Sequence, residues 1–291
     1  MGHPFEGIYP ALLTPFTKSG AINADALKAL IEWNIKKGVA GFYVGGSTAE
    51  AFLLTEEERN SVYKIASEAA EGRVKLIAHV GAISTEQAIR FGKVAKSLGY
   101  DAISAIAPFY YKISFEQIKK HYFDIVNAVE MPMIIYNFPN FSGVNLSVEQ
   151  ISQFFSDDRI IGLKHTSSDF FALEQFKTNY PGKILFNGFD EMLLCGLSVG
   201  ADGGIGSTYN FMAEKFIAMQ SFYNQNHFHE ALKEQKEANR IIKVLCKVGV
   251  MEGEKGVLNQ LGFDFGCARA PFSELTADQK KFLKKEITDK L

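Results

Sequence analysis

The chain has only three cysteines, Cys195, Cys246 and Cys267. Their odd number and wide spacing exclude a disulfide framework and provide no clustered metal site. Histidine does not fill that gap: of six, the one close pair, His227 and His229, is two residues apart, so a helix would turn the rings to different sides. Neither a metal nor a cofactor is expected. A basic surplus is also missing, since the formal net charge is −2, which argues against nucleic acid or an anionic membrane surface as a partner. No apolar run has membrane length, and MGHPFEGIYP lacks the charged, apolar, small-residue order of a secretion signal. A cytoplasmic protein acting on a small molecule is the expectation. Finally, no glycine fingerprint follows the first apolar run, IYPALLTPFTKSG, where an open dinucleotide-binding sheet would carry one.

What is present is a 291-residue chain, 47% hydrophobic, long enough to bury a large core. Apolar β-rich runs alternate with helical patterns. The expected strands are Ile8 to Leu13, Gly41 to Gly46, Leu76 to Gly81, Ala102 to Ala107, Met133 to Asn137, Ile160 to His165, Ile184 to Gly188 and Asp202 to Ser207. Between them lie amphipathic stretches such as ADALKALIEWNIKKG, with Leu27, Leu30, Ile31 and Asn34 on one face, and TEEERNSVYKIASEAAEG, where Thr55 caps and Glu58 follows three residues on. Alternating β and α with near-continuous apolar strands predicts a parallel sheet covered by helices, and about eight such units predict an α/β fold of the (β/α)8 TIM-barrel type. Residues 1–210 are assigned to the barrel strands and helices. Residues 211–291 are assigned to the last barrel helix and a helical C-terminal cap, broken at GCARAPFSELT, with Thr276 opening the last helix.

In a barrel the chemistry lies at the C-terminal strand ends, so those residues are the candidates. Lys164 ends the apolar run IIGL, where an ammonium group is costly. An unperturbed lysine is neutral in only about one molecule in 2,500 at pH 7, a deficit of roughly 4.6 kcal/mol. Burial lowers that deficit and yields the neutral amine that attacks a ketone to form an imine. The alternative is a structural ion pair with Asp190 or Glu191. Tyr136, one strand earlier, offers a hydroxyl that could move a proton, or else serves as a core tyrosine. GGSTAE, Gly45 to Glu50, joins a strand to what reads as a helix, and Ser47 and Thr48 there suit a small anion such as a carboxylate. GGIGST near Gly203 invites a phosphate, but Asp190 and Glu191 would repel one and suit the hydroxyls of a polyol instead.

These pieces occur in one order: GGSTAE, YNFPNFSGV, GLKHTSSD, NGFDE and GGIGSTYN. In that order they resemble the N-acetylneuraminate lyase and dihydrodipicolinate synthase superfamily of pyruvate-dependent class I aldolases, over nearly the whole chain. Where the synthases carry an arginine that holds a second carboxylate, this chain has Phe141, and NGFDE with the serine of GGST is similar to the sialic acid lyase branch. The resemblance implies a Schiff-base aldolase with no cofactor, splitting N-acetylneuraminate reversibly into pyruvate and N-acetylmannosamine. It implies that Lys164 forms the imine, that Tyr136 moves the proton, and that Ser47 and Thr48 hold the carboxylate. Thr166, Gly188, Asp190, Glu191 and Ser207 would grip the sugar chain. Tyr110 matches a residue that reaches a neighbouring subunit's site, in a homotetramer or a dimer, and so joins Lys164, Tyr136 and Ser47 in the catalytic set.

Two features depart from the pattern or stand outside it. Ala49 replaces a glycine usual in the family, and a positive φ there would distort the carboxylate loop. His165 receives no role. An aldolase for another 2-keto-3-deoxy sugar acid, a synthase-like enzyme and a non-catalytic sugar-acid-binding barrel are the remaining readings.

Overall fold

Each apolar run becomes one strand of a single parallel sheet in the computed structural model, which describes residues 3–291. The strands are β1 (Gly7–Pro10), β2 (Gly41–Val44), β3 (Lys75–His79), β4 (Ala102–Ile106), β5 (Met133–Asn137), β6 (Ile160–His165), β7 (Ile184–Asn187) and β8 (Gly203–Gly206). Neighbours in sequence pair in space, β8 pairs with β1, and the ring closes between β1 and β2 through a parallel bridge of Ala11 to Tyr43 and a 2.9 Å bond from Leu12 N–H to the Tyr43 carbonyl. This is the expected (β/α)8 TIM barrel. Most strands stop one to three residues short of the apolar runs, because the last residues of each run already turn into the loop.

The strands read as uninterrupted apolar stretches because both of their faces are buried. Alternate residues fill two different cores. Tyr9, Tyr43, Ile77, Ile134, Tyr136, Phe186 and Ile205 pack inside the barrel, whereas Ile8, Phe42, Ala78, Ile103, Ile135, Leu163 and Leu185 face the helical shell. This period of two turns Lys164 inward and its neighbours Leu163 and His165 outward.

The shell comprises α1 (Ala24–Lys37), α2 (Glu56–Ala70), α3 (Thr85–Ser97), α4 (Phe115–Val129), the short α5 (Pro139–Ser142), α6 (Val148–Phe155), α7 (Phe170–Asn179), α8 (Leu193–Ser198) and α9 (Tyr209–Asn224). In α1 the expected face of Leu27, Leu30, Ile31 and Asn34 is buried. Asn34 is tolerated there because its amide donates to the Leu30 and Asn210 carbonyls at 3.1 and 3.0 Å. The Thr55 and Glu58 capping box opens α2 as expected.

Three further helices, α10 (Phe228–Leu245), α11 (Val250–Gln260) and α12 (Ala277–Glu286), lie beyond the barrel helices, and Thr276 caps α12 through a capping box with Gln279. The irregular break between α11 and α12 is longer than GCARAPFSELT, running from Leu261 to Thr276. It folds back on the strand ends of the barrel: Arg269 N–H donates to a Glu50 carboxylate oxygen at 2.7 Å, and the Arg269 guanidinium pairs with Glu58.

Candidate active site

At the C-terminal ends of the strands lies a cavity of about 700 Å³ whose walls include Ser47, Thr48, Tyr136, Lys164, Thr166, Gly188, Asp190, Glu191 and Ser207. Strand register explains how Lys164 and Tyr136 meet, since they are direct partners across β5 and β6. Both side chains therefore leave the sheet on the same inner face. The Lys164 amine stands 4.2 Å from the centroid of the Tyr136 ring and 4.5 Å from that of Tyr43. Burial among these rings lowers the Lys164 pKa to about 7, against a smaller upward pull from Asp190. The alternative of a structural ion pair fails here. Among the described residues Lys164 forms no salt bridge, and the Asp190 carboxylate is instead engaged with Thr208.

Burial acts on Tyr136 in the opposite sense, holding its phenol protonated well above the ordinary tyrosine range, while the nearby Thr166 and Ser47 hydroxyls partly offset it. The site thus pairs an amine easily made neutral with a phenol that rests neutral. Thr166 Oγ1 is buried with no hydrogen-bond partner among the described residues. Gly188 leaves room for it, because a Cβ at Gly188 would lie 1.8 Å from that oxygen.

The GGSTAE segment does not enter a long helix directly. It forms a 3-10 turn, Ser47–Ala49, then a second, Ala51–Leu53, before α2 begins. The Ser47 and Thr48 amides, first in the turn, have no acceptor within it and are the donors available to an anion. Positive φ falls on Gly45 and Glu50, not on Ala49, which is buried in the turn with its carbonyl accepting from Thr14 Oγ1 at 2.9 Å. The condition under which Ala49 would distort the loop, a positive φ at that position, is therefore not met.

The opposite wall is built by the loop after β7. Asp190 Oδ2 accepts from Thr208 N–H at 2.8 Å and from Thr208 Oγ1 at 2.6 Å. Burial raises its pKa to about 6, with those two bonds pulling downward and the Glu191 charge pushing upward. Gln235 and Asn239 on α10 fix the loop from outside, donating to the Asp190 and Glu191 carbonyls at 3.1 Å each. Gly206 permits the close approach of Asp190, since a Cβ there would lie 1.8 Å from Oδ1.

Tyr110, expected in the catalytic set, lies apart from this cluster, as does His165. Tyr110 is 73% exposed, packs edge-to-face on Tyr111, and does not border the cavity. His165 faces the shell, with Nε2 to the Asp169 carbonyl at 3.1 Å, Nδ1 to the Asn137 amide at 3.2 Å and its ring against Phe176. It is a structural histidine, in keeping with its having been given no role.

Sequence reading assigned no role to several groups that support the site. His79 supports both the Gly45 turn and the Tyr136 ring: its Nδ1 donates to the Gly45 carbonyl at 3.1 Å and its Nε2 accepts from Ile106 N–H at 3.3 Å, which sets the tautomer. Arg59, buried on α2, holds the His79 and Gly81 carbonyls. Behind the GGSTAE turn, Glu50 and Lys255 form a fully buried ion pair at 2.5 Å. Glu254 is entirely buried on the cavity side of α11. EGEKG reads as an ordinary polar helix start, so no local signal marks Glu254 or Lys255.

A closed parallel barrel that gathers a lysine, a tyrosine and carboxylates in a cavity at its C-terminal strand ends is the architecture of a TIM-barrel enzyme. The chain belongs to the dihydrodipicolinate synthetase family, whose model matches residues 4–290. It is 44% identical to N-acetylneuraminate lyase of Rhizobium meliloti (strain 1021) over 271 residues, covering 93% of this chain and 90% of that protein. The structure of CdNal from Clostridium difficile in complex with mannosamine superposes with a TM-score of 0.96 at 38% identity, covering 98% of this chain and 99% of that one. N-acetylneuraminate lyase from Fusobacterium nucleatum, complexed with pyruvate, gives a TM-score of 0.94 at 39% identity, covering 99% and 98% of the two chains.

Proposed function

We propose that this chain is a class I aldolase that cleaves N-acetylneuraminate reversibly to pyruvate and N-acetylmannosamine through an imine at Lys164, without a cofactor. One observation carries the reading. The Lys164 amine is buried against two tyrosine rings, without an ion-pair partner among the described residues, with its pKa lowered to about 7, the state a nucleophilic amine needs. The similarity to N-acetylneuraminate lyases supports the substrate.

The neutral amine adds to the C2 ketone of the open-chain sugar acid. The Tyr136 phenol gives its proton to the departing hydroxyl, so water leaves and a phenolate remains beside the iminium cation. That phenolate takes the C4 hydroxyl proton. The electron pair of the C3–C4 bond flows into the iminium, forming an enamine on Lys164 and freeing the aldehyde. Tyr136 then protonates C3, and water releases pyruvate. The high phenol pKa is compatible with this cycle, because the phenolate exists only while the iminium cation stands next to it.

The Ser47 and Thr48 amides and hydroxyls hold the substrate carboxylate. Thr166, Gly188, Asp190, Glu191 and Ser207 line the path of the sugar chain. With Oδ2 committed to Thr208, Asp190 has Oδ1 left for a sugar hydroxyl. Phe141, on the cavity wall, offers no charge for a second carboxylate, which weighs against a synthase-like reaction. Tyr110 serves a neighbouring subunit's site in a homotetramer, and the enzyme works in the cytoplasm. Borohydride reduction in the presence of pyruvate, followed by peptide mass mapping, tests the reading. The reduced adduct is expected on the peptide carrying Lys164, and its absence removes the aldolase mechanism.

A further inference from the structure

Glu254 is fully buried, and among the described residues neither of its carboxyl oxygens has a hydrogen-bond partner. Buried polar groups without partners are rare and costly, so a carboxyl group in that condition calls for a reason. Its surroundings are specific. The Ser207 hydroxyl lies beside it, at the end of β8, and Asp190 faces it from the loop after β7. Ser207 is partly exposed to the cavity on its other side.

The helix that carries Glu254 is held firmly. The next residue, Lys255, is locked to Glu50 and donates to the Cys267 carbonyl at 3.2 Å. On the preceding side, a Cβ at Gly253 would meet the Leu245 side chain at 2.8 Å, so α11 packs without slack against the end of α10. Glu254 therefore has little freedom to swing away, and Ser207 is the hydroxyl within its reach.

We propose that Glu254 is a positioning residue for substrate recognition, holding the Ser207 hydroxyl toward the cavity so that the serine presents its proton to an oxygen of the polyhydroxylated arm. This rests on the aldolase reading of the site and deepens it. Burial pushes the Glu254 carboxyl up to about 8, the Ser207 hydroxyl pulling downward and the Asp190 charge adding to the rise, so near neutrality it carries a proton and acts as a donor. A donor at Glu254 occupies a lone pair of Ser207 Oγ and leaves the serine proton for the sugar. An ionised Glu254 would instead draw that proton to itself. The arrangement selects for an oxygen acceptor on the substrate at this wall, while pyruvate, which has no hydroxylated arm, does not use it.

The test compares Glu254→Leu, Glu254→Gln, Ser207→Ala and the double variant Ser207→Ala/Glu254→Leu in steady-state cleavage of N-acetylneuraminate and in borohydride trapping with pyruvate. Glu254→Leu is expected to raise KM about tenfold, the worth of one oriented hydrogen bond, with kcat and pyruvate trapping little changed. Glu254→Gln, still a donor, recovers most of that loss, and the double variant is no worse than Ser207→Ala alone. Additive losses in the double variant, an unchanged KM in Glu254→Leu, or trapping that falls in step with cleavage overturns the proposal. Should Glu254→Leu not fold, Glu254→Gln decides: a KM as high as that of Ser207→Ala rules the donor out. Wild-type protein that traps pyruvate but leaves N-acetylneuraminate intact removes the substrate assignment alone, and the same variants are then compared on the polyhydroxylated 2-keto acid that it does cleave.

Discussion

At Lys164 the charged and neutral forms are nearly balanced, because burial has cancelled most of the preference for the ammonium ion. Imine formation should therefore rise with pH up to about 7 and flatten above it, falling about tenfold per unit on the acid side. The initial rate of pyruvate trapping against pH measures this, and a profile still climbing beyond pH 9 would show that the amine is not tuned. Lys164→Met should abolish the adduct without lowering resistance to urea, since a methionine fits an apolar site that penalises an ammonium group. Stability carries the same shift. Between about 7 and the ordinary lysine value near ~10.4, the unfolded chain binds the extra proton at Lys164, so this residue's contribution rises with pH across that window. Glu254 acts oppositely: from the ordinary glutamate value near ~4.3 up to about 8 the folded chain holds the extra proton, and its contribution is lost as pH rises. Lys164 was legible in sequence because an apolar run ending in lysine is anomalous. Glu254 was not, because a glutamate on a polar helix start is ordinary until the helix is placed against a barrel mouth.

The elements that shape the cavity touch through groups far apart in sequence. The Glu50 and Lys255 pair joins the turn after β2 to α11, with both side chains withdrawn from water. Removing one partner leaves the other charge buried, so Lys255→Ala should cost about 3–5 kcal/mol in urea unfolding and raise KM for pyruvate by loosening the Ser47 turn. Replacing both residues with apolar side chains of similar size should restore much of the stability, and a failure to do so would mean that the pair does more than cancel charge. At the end of β8, Gly206→Ala forces a Cβ against Asp190. The expected result is a loss of about 1–3 kcal/mol together with weaker sugar-acid binding, read by denaturation and by KM. The strands and helix caps behind these contacts were readable, because period-two burial and capping boxes are local rules. The 3-10 turns after β2 were not, since two glycines and a Ser-Thr pair specify a turn without specifying how long it continues.

On the scale of the whole molecule, aromatic groups, most of them exposed, collect around the barrel mouth. Phe52, Phe109, Phe141 and Phe272 border one apolar pocket beside the active-site cavity, and Tyr110 and Tyr111 stand well exposed on the loop after β4. Large exposed aromatic clusters mark places where another surface docks. A homotetramer is the expected assembly, and sedimentation velocity should give about four chain masses. Tyr110→Ala should then lower kcat while leaving trapping at Lys164 intact. A fully active monomer would refute both the assembly and the role given to Tyr110.

The sequence alone determined the barrel, because eight apolar runs alternating with amphipathic helices allow few other arrangements of backbone hydrogen bonds and buried faces. It also marked Lys164, Tyr136, the Ser47 turn and the Asp190 loop, each of which stands at the end of a recognisable strand. Only the tertiary structure decided which charges meet. Glu50 found Lys255, Glu58 found Arg269, and Glu254 came to rest beside Ser207 because the C-terminal helices fold back over the strand ends. Such pairings depend on long-range packing, and the residues concerned carry no local pattern that distinguishes them from a solvated helix face.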